Sequence, residues 1–262
     1  MVMGEMSDDK NIAGWETIAE RYQRERGWPS EDLCWGHRVA PERELRLLGD
    51  VRGKRALVLG CGGGQDVIAL ARLGASSVTG VDFSKTQLAH AKENLAKANV
   101  TTATLIESSV SDLPMLADES FDVVASVHVM SYVEHLDACF AEARRVLVVG
   151  GIFAFSTQHP IDCATGDVAP YGFIKSYFEM ETNEEWTSLG GQGAPFRRYH
   201  RTIADYFRYL QNARFTIEAL LEPRPTNDLV WEGREYFDKL AVVPGTLAFK
   251  ARKSEERTVE RR

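Results

Sequence analysis

No apolar run in the 262 residues approaches eighteen, and the first stretch, MVMGEMSDDKNIAGWE, lacks a basic segment followed by an apolar one. The expectation is a chain with no membrane partner and no export signal, resident in the cytoplasm. Positive charge is also short: 31 Lys and Arg stand against 38 Asp and Glu, a net charge of −7. A phosphate backbone is usually bound by clustered cations, so nucleic acid is excluded as the habitual partner and a small molecule is favoured. Only four cysteines occur, Cys34, Cys61, Cys139 and Cys163, and no two share the close spacing of a zinc site or a redox dithiol. They read as free thiols in a reducing compartment, with no metal. Internal repeats and low-complexity blocks are missing too.

Along the chain, Trp15, Ile18, Ala19 and Tyr22 fall on one helical face, and a second helix is expected from Pro41 through Leu48. Residues 1 to about 12 are polar and expected to fray. Beyond Lys54, short apolar strands alternate with helices: RALVLG and QDVIALARLG, SVTGVD and SKTQLAHAKENLAKA, TATLIE, FDVVASV, LDACFAEARRVL and GIFAFST. That rhythm indicates right-handed crossovers and a parallel sheet covered on both faces. Ser84 is a good N-cap for its helix and Gly74 a good stop for the preceding one.

After Gln158 the rhythm breaks. Residues 159–201 carry scattered glycines and prolines with Tyr171, Phe173, Tyr177, Phe178, Trp186, Phe196 and Tyr199, and no clean period. So long a loop-rich stretch reads as a substrate-binding lid, or else as aromatics that merely pack on the sheet. Regularity returns in TIADYFRYLQNA, FTIEALLE and GTLAFKA. The expected organisation is an N-terminal helical cap over 1–50, a main domain over 51–158 and 202–252, the inserted lid over 159–201, and a disordered tail over 253–262.

The chemistry is carried by RALVLGCGGGQDVIALA. Glycines at the carboxyl end of a first parallel strand let backbone approach a ligand, and the next helix offers unpaired N–H groups. Gly60, Gly62, Gly63 and Gly64 fit that role, though glycines also serve plain turns. Asp82 ends the second strand 22 residues after Gly60, where a carboxylate can accept hydrogen bonds from a ribose diol or simply form a turn. A dinucleotide loop G-x-G-x-x-G would need glycine at 65, where the chain has Gln65, and no Gly-Lys-Ser/Thr phosphate loop exists. The cofactor therefore lacks a pyrophosphate, which removes a nicotinamide-linked oxidoreductase.

VLGCGGGQ, VTGVDFS, SVSDLP, SFDVVASVHVMSYVEH and ARRVLVVGGIFAFS, in that order, resemble the class I S-adenosylmethionine-dependent methyltransferases, in particular the small-molecule group related to the ubiquinone-biosynthesis methyltransferases. The resemblance covers about residues 15–160 and continues loosely through YHRTIADYFRYLQNARFTIEALLEP. It implies an α/β, Rossmann-like doubly wound sheet of seven strands, order 3-2-1-4-5-7-6, last strand antiparallel, with N-terminal helices and an inserted aromatic lid. It implies S-adenosyl-L-methionine as cofactor and S-adenosyl-L-homocysteine as product. Gly60, Gly62 and Gly64 would line its methionine and ribose portions, and Asp82 would hold the ribose hydroxyls. Phe83 would flank the adenine, Ser109 and Val110 would contact its edge, and Tyr22 would close over the carboxylate. His128 would face the point where the methyl group leaves. Three motifs depart from the family pattern: Val58 stands for an acid two residues before the first glycine, Ser109 for an Asp, and Val148–Val149 for Lys-Pro. If the missing acid matters, Glu at 58 should tighten cofactor binding; otherwise Val58 belongs to the core.

Methyl transfer needs alignment and exclusion of water, and a base when the acceptor is a hydroxyl or an ammonium. Of six histidines, His90 reads as surface or core, and His37 and His135 rank low. His128, His159 and His200 are the candidate bases, His128 preferred, because ligands sit at the carboxyl ends of such sheets. The aromatic segment and Trp28 to Trp35 would roof an apolar or aromatic acceptor, methylated on O, N or C, as in specialised biosynthesis. The Asn/Asp-Pro-Pro-aromatic run of a nucleic-acid adenine methyltransferase is replaced by SVHVMSY. The competing expectation is a methyltransferase-like protein without transfer activity, serving as a ligand-binding module or a cofactor-assisted cyclisation or rearrangement catalyst. Either would act as a monomer or homodimer.

Overall fold

The computed structural model describes residues 7–26, 31–178, 182–186, 193–226 and 238–255. Trp28 of the expected roof, the Trp186 side chain and the tail beyond Glu255 lie outside the described residues.

Helix α1 (Ser7–Arg26) begins within the stretch expected to fray. The reason is Asn11, which reads as a solvated polar residue but is wholly buried. Its amide nitrogen donates to the Tyr132 and Arg197 carbonyls, both at 3.0 Å, and its oxygen accepts the Arg197 N–H at 2.8 Å. Such an amide supplies a donor and an acceptor to backbone, which no apolar residue can do. Helix α2 is one turn, Glu42–Leu45, rather than the expected run to Leu48. The buried Glu42 carboxylate accepts the N–H groups of Leu47, Leu48 and Gly49 and the Trp35 indole N–H. Those side-chain bonds replace the helical ones, and Arg46 turns left-handed at φ 53°.

The alternation then follows as read: β1 (Arg55–Leu59), α3 (Gln65–Arg72), β2 (Ser77–Asp82), α4 (Lys85–Lys97), β3 (Ala103–Glu107), β4 (Phe121–Val127), α5 (Leu136–Val146) and β5 (Leu147–Gln158). The Ser84 hydroxyl caps α4 by accepting the Gln87 N–H, and Gly74 follows α3 at φ 95°. Along β1, Leu57 and Leu59 face Phe140, Tyr206 and Leu210, while Ala56 and Val58 face Val67, Ile68, Leu70 and the N-terminal Leu33 and Trp35. Both faces are apolar because both are covered.

The segment 159–201, read as aperiodic, contains α6 (Pro160–Ala164) and an antiparallel pair, β6 (Thr182–Trp186) and β7 (Ala194–Arg198). A hairpin five residues deep, interrupted by Pro195, leaves too short an alternation to register as a period. Helix α7 (Ile203–Asn212) opens on a reciprocal Thr202–Asp205 capping box, and β8 (Phe215–Leu221) and β9 (Thr246–Lys253) close the sheet. Its order is β3-β2-β1-β4-β5-β9-β8, with β9 antiparallel to both neighbours. Once the hairpin is set aside this is the expected seven-stranded topology. No helix among the described residues is long and apolar enough to cross a membrane.

Candidate functional site

The loop between β1 and α3 is shaped by glycine where side chains cannot stand. Gly60 and Gly64 have φ of 70° and 82°, and a Cβ on Gly60 would strike Val129 Cγ2 at 2.3 Å. At Gly62 a Cβ would meet only Gln87 Oε1, at 3.8 Å, so the middle of the loop is an open cradle. The loop is tied to β2, since Gly60 N–H and Cys61 N–H both donate to the Val81 carbonyl. No side chain caps α3, which leaves its first N–H groups to a ligand.

Asp82 stands at the tip of β2. Its Oδ2 accepts the Gly62 N–H at 2.8 Å and its Oδ1 the Ser84 N–H at 2.9 Å, so the carboxylate is fixed while keeping lone pairs for a diol. Burial pushes its pKa up, against those two N–H bonds. Phe83 and Ser109 are half-buried beside it; Ser109 Oγ accepts the Ser111 N–H at 3.3 Å, and Val110 is buried in the core with Leu113 and Met130.

Helix α1 crosses above this cradle and is fastened on both sides. Glu16 accepts from the Ser84 hydroxyl at 2.8 Å and the Thr86 N–H at 3.2 Å. Gln23 accepts from Gln65 Nε2 at 2.6 Å and donates to Gln87 Oε1 at 2.7 Å, with its amide against Gly63. Tyr22 lies on the same helix, its ring edge-to-face with Trp15 at 5.2 Å. Reading the sequence missed Glu16, Gln23 and Gln65. It also missed Gln87, although a glutamine on the stripe Gln87, Ala91, Leu95 was a visible signal of a polar group in a buried row.

A recess of about 10 Å³, lined by Ser131, Gln158, Cys163, Arg198, Tyr199 and His200, lies beside the carboxyl ends of β4 and β5. Arg201 braces it: the buried guanidinium donates to the carbonyls of Met130, Val133 and Glu134 at 3.2, 2.7 and 2.8 Å, fixing the turn after β4. Arg198 lies 5.6 Å from the centre of the Tyr132 ring, which packs with Trp15 and Phe196.

The three candidate histidines occupy different surroundings. His200 lines the recess; its Nε2–H donates to the Tyr177 carbonyl at 2.7 Å, leaving the Nδ1 lone pair, and burial lowers its pKa. His159 is corrected as a base. Its Nδ1 accepts the Ile161 N–H at 3.1 Å, so Nε2 carries the proton and donates to Glu222 at 2.9 Å, and neither nitrogen has a lone pair to offer. It is the N-cap of α6. His128, the preferred base, has φ 55° and lies beneath the N-terminal loop, where a Cβ on Gly36 would come within 2.8 Å of its Nε2 and where His37 is 6.2 Å away, ring to ring. Among the described residues no cluster suits a metal ion.

A doubly wound sheet with a glycine cradle, a carboxylate at the second strand tip and no phosphate loop defines a nucleoside-cofactor protein of the Rossmann-like kind. The family model of the methyltransferase domain matches residues 57–155. A crystal structure of an S-adenosylmethionine dependent methyltransferase from Mesorhizobium loti superposes with a TM-score of 0.67 at 30% identity, covering 80% of this chain and 96% of that one. An uncharacterized protein of Haemophilus influenzae is 27% identical over 96% of this chain and 100% of its own length. The ubiquinone biosynthesis O-methyltransferase of Neisseria meningitidis serogroup C is 32% identical over 57% of this chain, which spans 62% of that protein. The chain belongs to the class I S-adenosylmethionine-dependent methyltransferases. The open cradle at Gly62, the fixed Asp82 and the uncapped start of α3 fit that cofactor.

Proposed function

We propose that this methyltransferase acts on an O, N or C nucleophile of a small metabolite with an apolar or aromatic body, as in specialised biosynthesis. The observation that carries the reading is the aromatic group Trp15, Tyr132 and Phe196, bordered by a recess of about 10 Å³ at Ser131, Gln158 and His200 that has room for a single water-sized group. Aromatic faces bury the body of such an acceptor, and the polar end orients its nucleophile. Gly60, Gly62 and Gly64 would hold the methionine and ribose parts, Asp82 the ribose hydroxyls, Phe83, Ser109 and Val110 the adenine, and Tyr22 the covering contact. Bound S-adenosylmethionine supplies a methyl group activated by its sulfonium. The chain aligns the acceptor, excludes water with α1 and the 159–201 insertion, and takes the acceptor's proton on His200 Nδ1. The free cysteines suit a reducing cytoplasm, and the chain would work as a monomer or homodimer.

Label transfer tests this. With labelled S-adenosylmethionine and a panel of phenols, amines and enols, methylated product and S-adenosylhomocysteine should form in equal amounts. His200→Asn should lower kcat by about 10²-fold or more with unchanged S-adenosylhomocysteine affinity. Cofactor binding without transfer to any acceptor would favour the non-transferring reading instead.

A further inference from the structure

The recess beside the carboxyl ends of β4 and β5, at about 10 Å³, is too small for a ring and large enough for the terminal group of an acceptor. Two of the side chains that line it, Gln158 and His200, have their donors engaged elsewhere. Gln158 Nε2 donates to Asp162 Oδ2 at 2.6 Å. The Asp162 side chain is wholly buried and is held by the equally buried Lys239, whose Nζ stands 2.8 Å from Oδ1 and also donates to the Asp162 and Thr165 carbonyls. A carboxylate beside an ammonium only accepts, so the Gln158 amide has one orientation, nitrogen toward Asp162 and Oε1 away from it. The His200 Nε2–H is engaged by the Tyr177 carbonyl at 2.7 Å, which leaves Nδ1 as an acceptor. Asp162 and Tyr177 both lie outside the lining of the recess. Gln158 Oε1 and His200 Nδ1 receive no hydrogen bond from any described residue, and neither atom is sealed from solvent.

Ser131 and Tyr199 add hydroxyls, which take either role, and Arg198 and Arg201 add positive charge. A group entering the recess therefore meets two fixed acceptors. A hydroxyl brings one hydrogen, answers one of them and sets its own lone pairs against the other; an enol carbon brings none. A neutral primary amine brings two N–H donors and keeps a lone pair for attack, while the two guanidinium charges disfavour its protonated form. We propose that the methyl acceptor is a primary amine bound as the free base, one N–H on Gln158 Oε1 and the other on His200 Nδ1. The inference rests on the small-metabolite methyltransferase reading and narrows its nucleophile to nitrogen. The amine's lone pair forms the N–C bond to the methyl group, the sulfur keeps the electron pair of the broken C–S bond, and the proton lost from nitrogen goes to His200 Nδ1. The products are the N-methyl amine and S-adenosylhomocysteine. Gln158 is then a specificity residue, and Lys239, acting through Asp162, positions its amide.

Label transfer to isosteric pairs tests the preference: aniline with phenol, benzylamine with benzyl alcohol, tryptamine with tryptophol. The amine of a pair should show a kcat/KM about tenfold or more above that of its hydroxyl partner, as for a buried acceptor left unanswered. Gln158→Leu should bring that ratio toward one by slowing the amine and not the hydroxyl, with S-adenosylhomocysteine affinity unchanged in calorimetry. A loss shared equally by both partners would assign Gln158 a structural role, and a preference for the hydroxyl would put oxygen in the recess. Either result overturns the proposal and leaves the small-metabolite reading standing. Transfer to no member of any pair, with S-adenosylhomocysteine still bound, overturns both. A crystal structure of wild type with S-adenosylhomocysteine and the best amine tests the contacts without a variant. A nitrogen about 2.7–3.2 Å from both Gln158 Oε1 and His200 Nδ1 supports the assignment, and one beyond about 4 Å from either overturns it.

Discussion

Val58 and Asp66 differ in how far the sequence alone could place them. Val58 looks like a lost cofactor contact, but it pairs with Gly80 and Ala125 in the middle of the sheet and packs with Val67, Ile68 and Leu70. A glutamate there would bury a charge with no counter-ion. Val58→Glu should therefore cost on the order of 3 kcal/mol of stability and leave S-adenosylhomocysteine affinity no tighter, read by thermal melts and calorimetry. Tighter binding would mean that the side chain reaches the cradle. Asp66 offers a pH test. Desolvation of the half-buried carboxyl pushes its folded pKa up to about 7 against an ordinary 3.8, so it is protonated in the folded state at pH 4 and costs little, and above pH 7 the folded state carries a partly desolvated charge. Stability from this group is present below the ordinary value and is lost as pH rises through 7. Without cofactor, Asp66→Asn should melt several degrees above wild type at pH 8, the gap closing toward pH 4. The neighbouring Cys61 thiol and Asp82 are present in both proteins, so a gap independent of pH would count against the uncompensated burial. Nothing in local periodicity marks Asp66, because a first-turn aspartate is ordinary helix chemistry.

At the scale of elements, what the sequence hid is polar and buried. Glu42 looks like a surface acid at the start of a helix, yet four donors converge on it and burial raises its pKa. Glu42→Ala would strand the Trp35 N–H and three backbone N–H groups. Denaturant unfolding should show a loss of about 3 kcal/mol or more, and a loss under about 1 kcal/mol would mean that water replaces the carboxylate. Asn11 and the trio Gln23, Gln65 and Gln87 belong with it: each amide joins segments far apart in the chain, so no window of neighbouring residues reveals it. Apolar elements were legible for the opposite reason. In α3, α5 and the strands, burial is imposed locally, by a side-chain period of 3.6 or 2 that repeats within one turn or one pleat.

For the whole molecule, the sequence by itself determined the sheet and the cradle. Strand-helix alternation with right-handed crossovers admits few topologies, and the glycine cluster after the first strand together with Asp82 at the tip of the next is far more specific to a ligand cradle than either part alone. Tertiary structure decided what stands around that cradle. It alone laid α1 across the loop, paired β6 with β7 inside the 159–201 segment, and separated three histidines that look alike in sequence. His159 became a helix cap bonded to Glu222, His128 a neighbour of Gly36 and His37, and His200 a wall of the recess. The physical reason is reach. Periodicity and turn chemistry act over a few residues and are written locally, whereas a proton-accepting lone pair or an unpaired carboxylate is defined by partners tens to hundreds of residues away, which only the folded chain brings together.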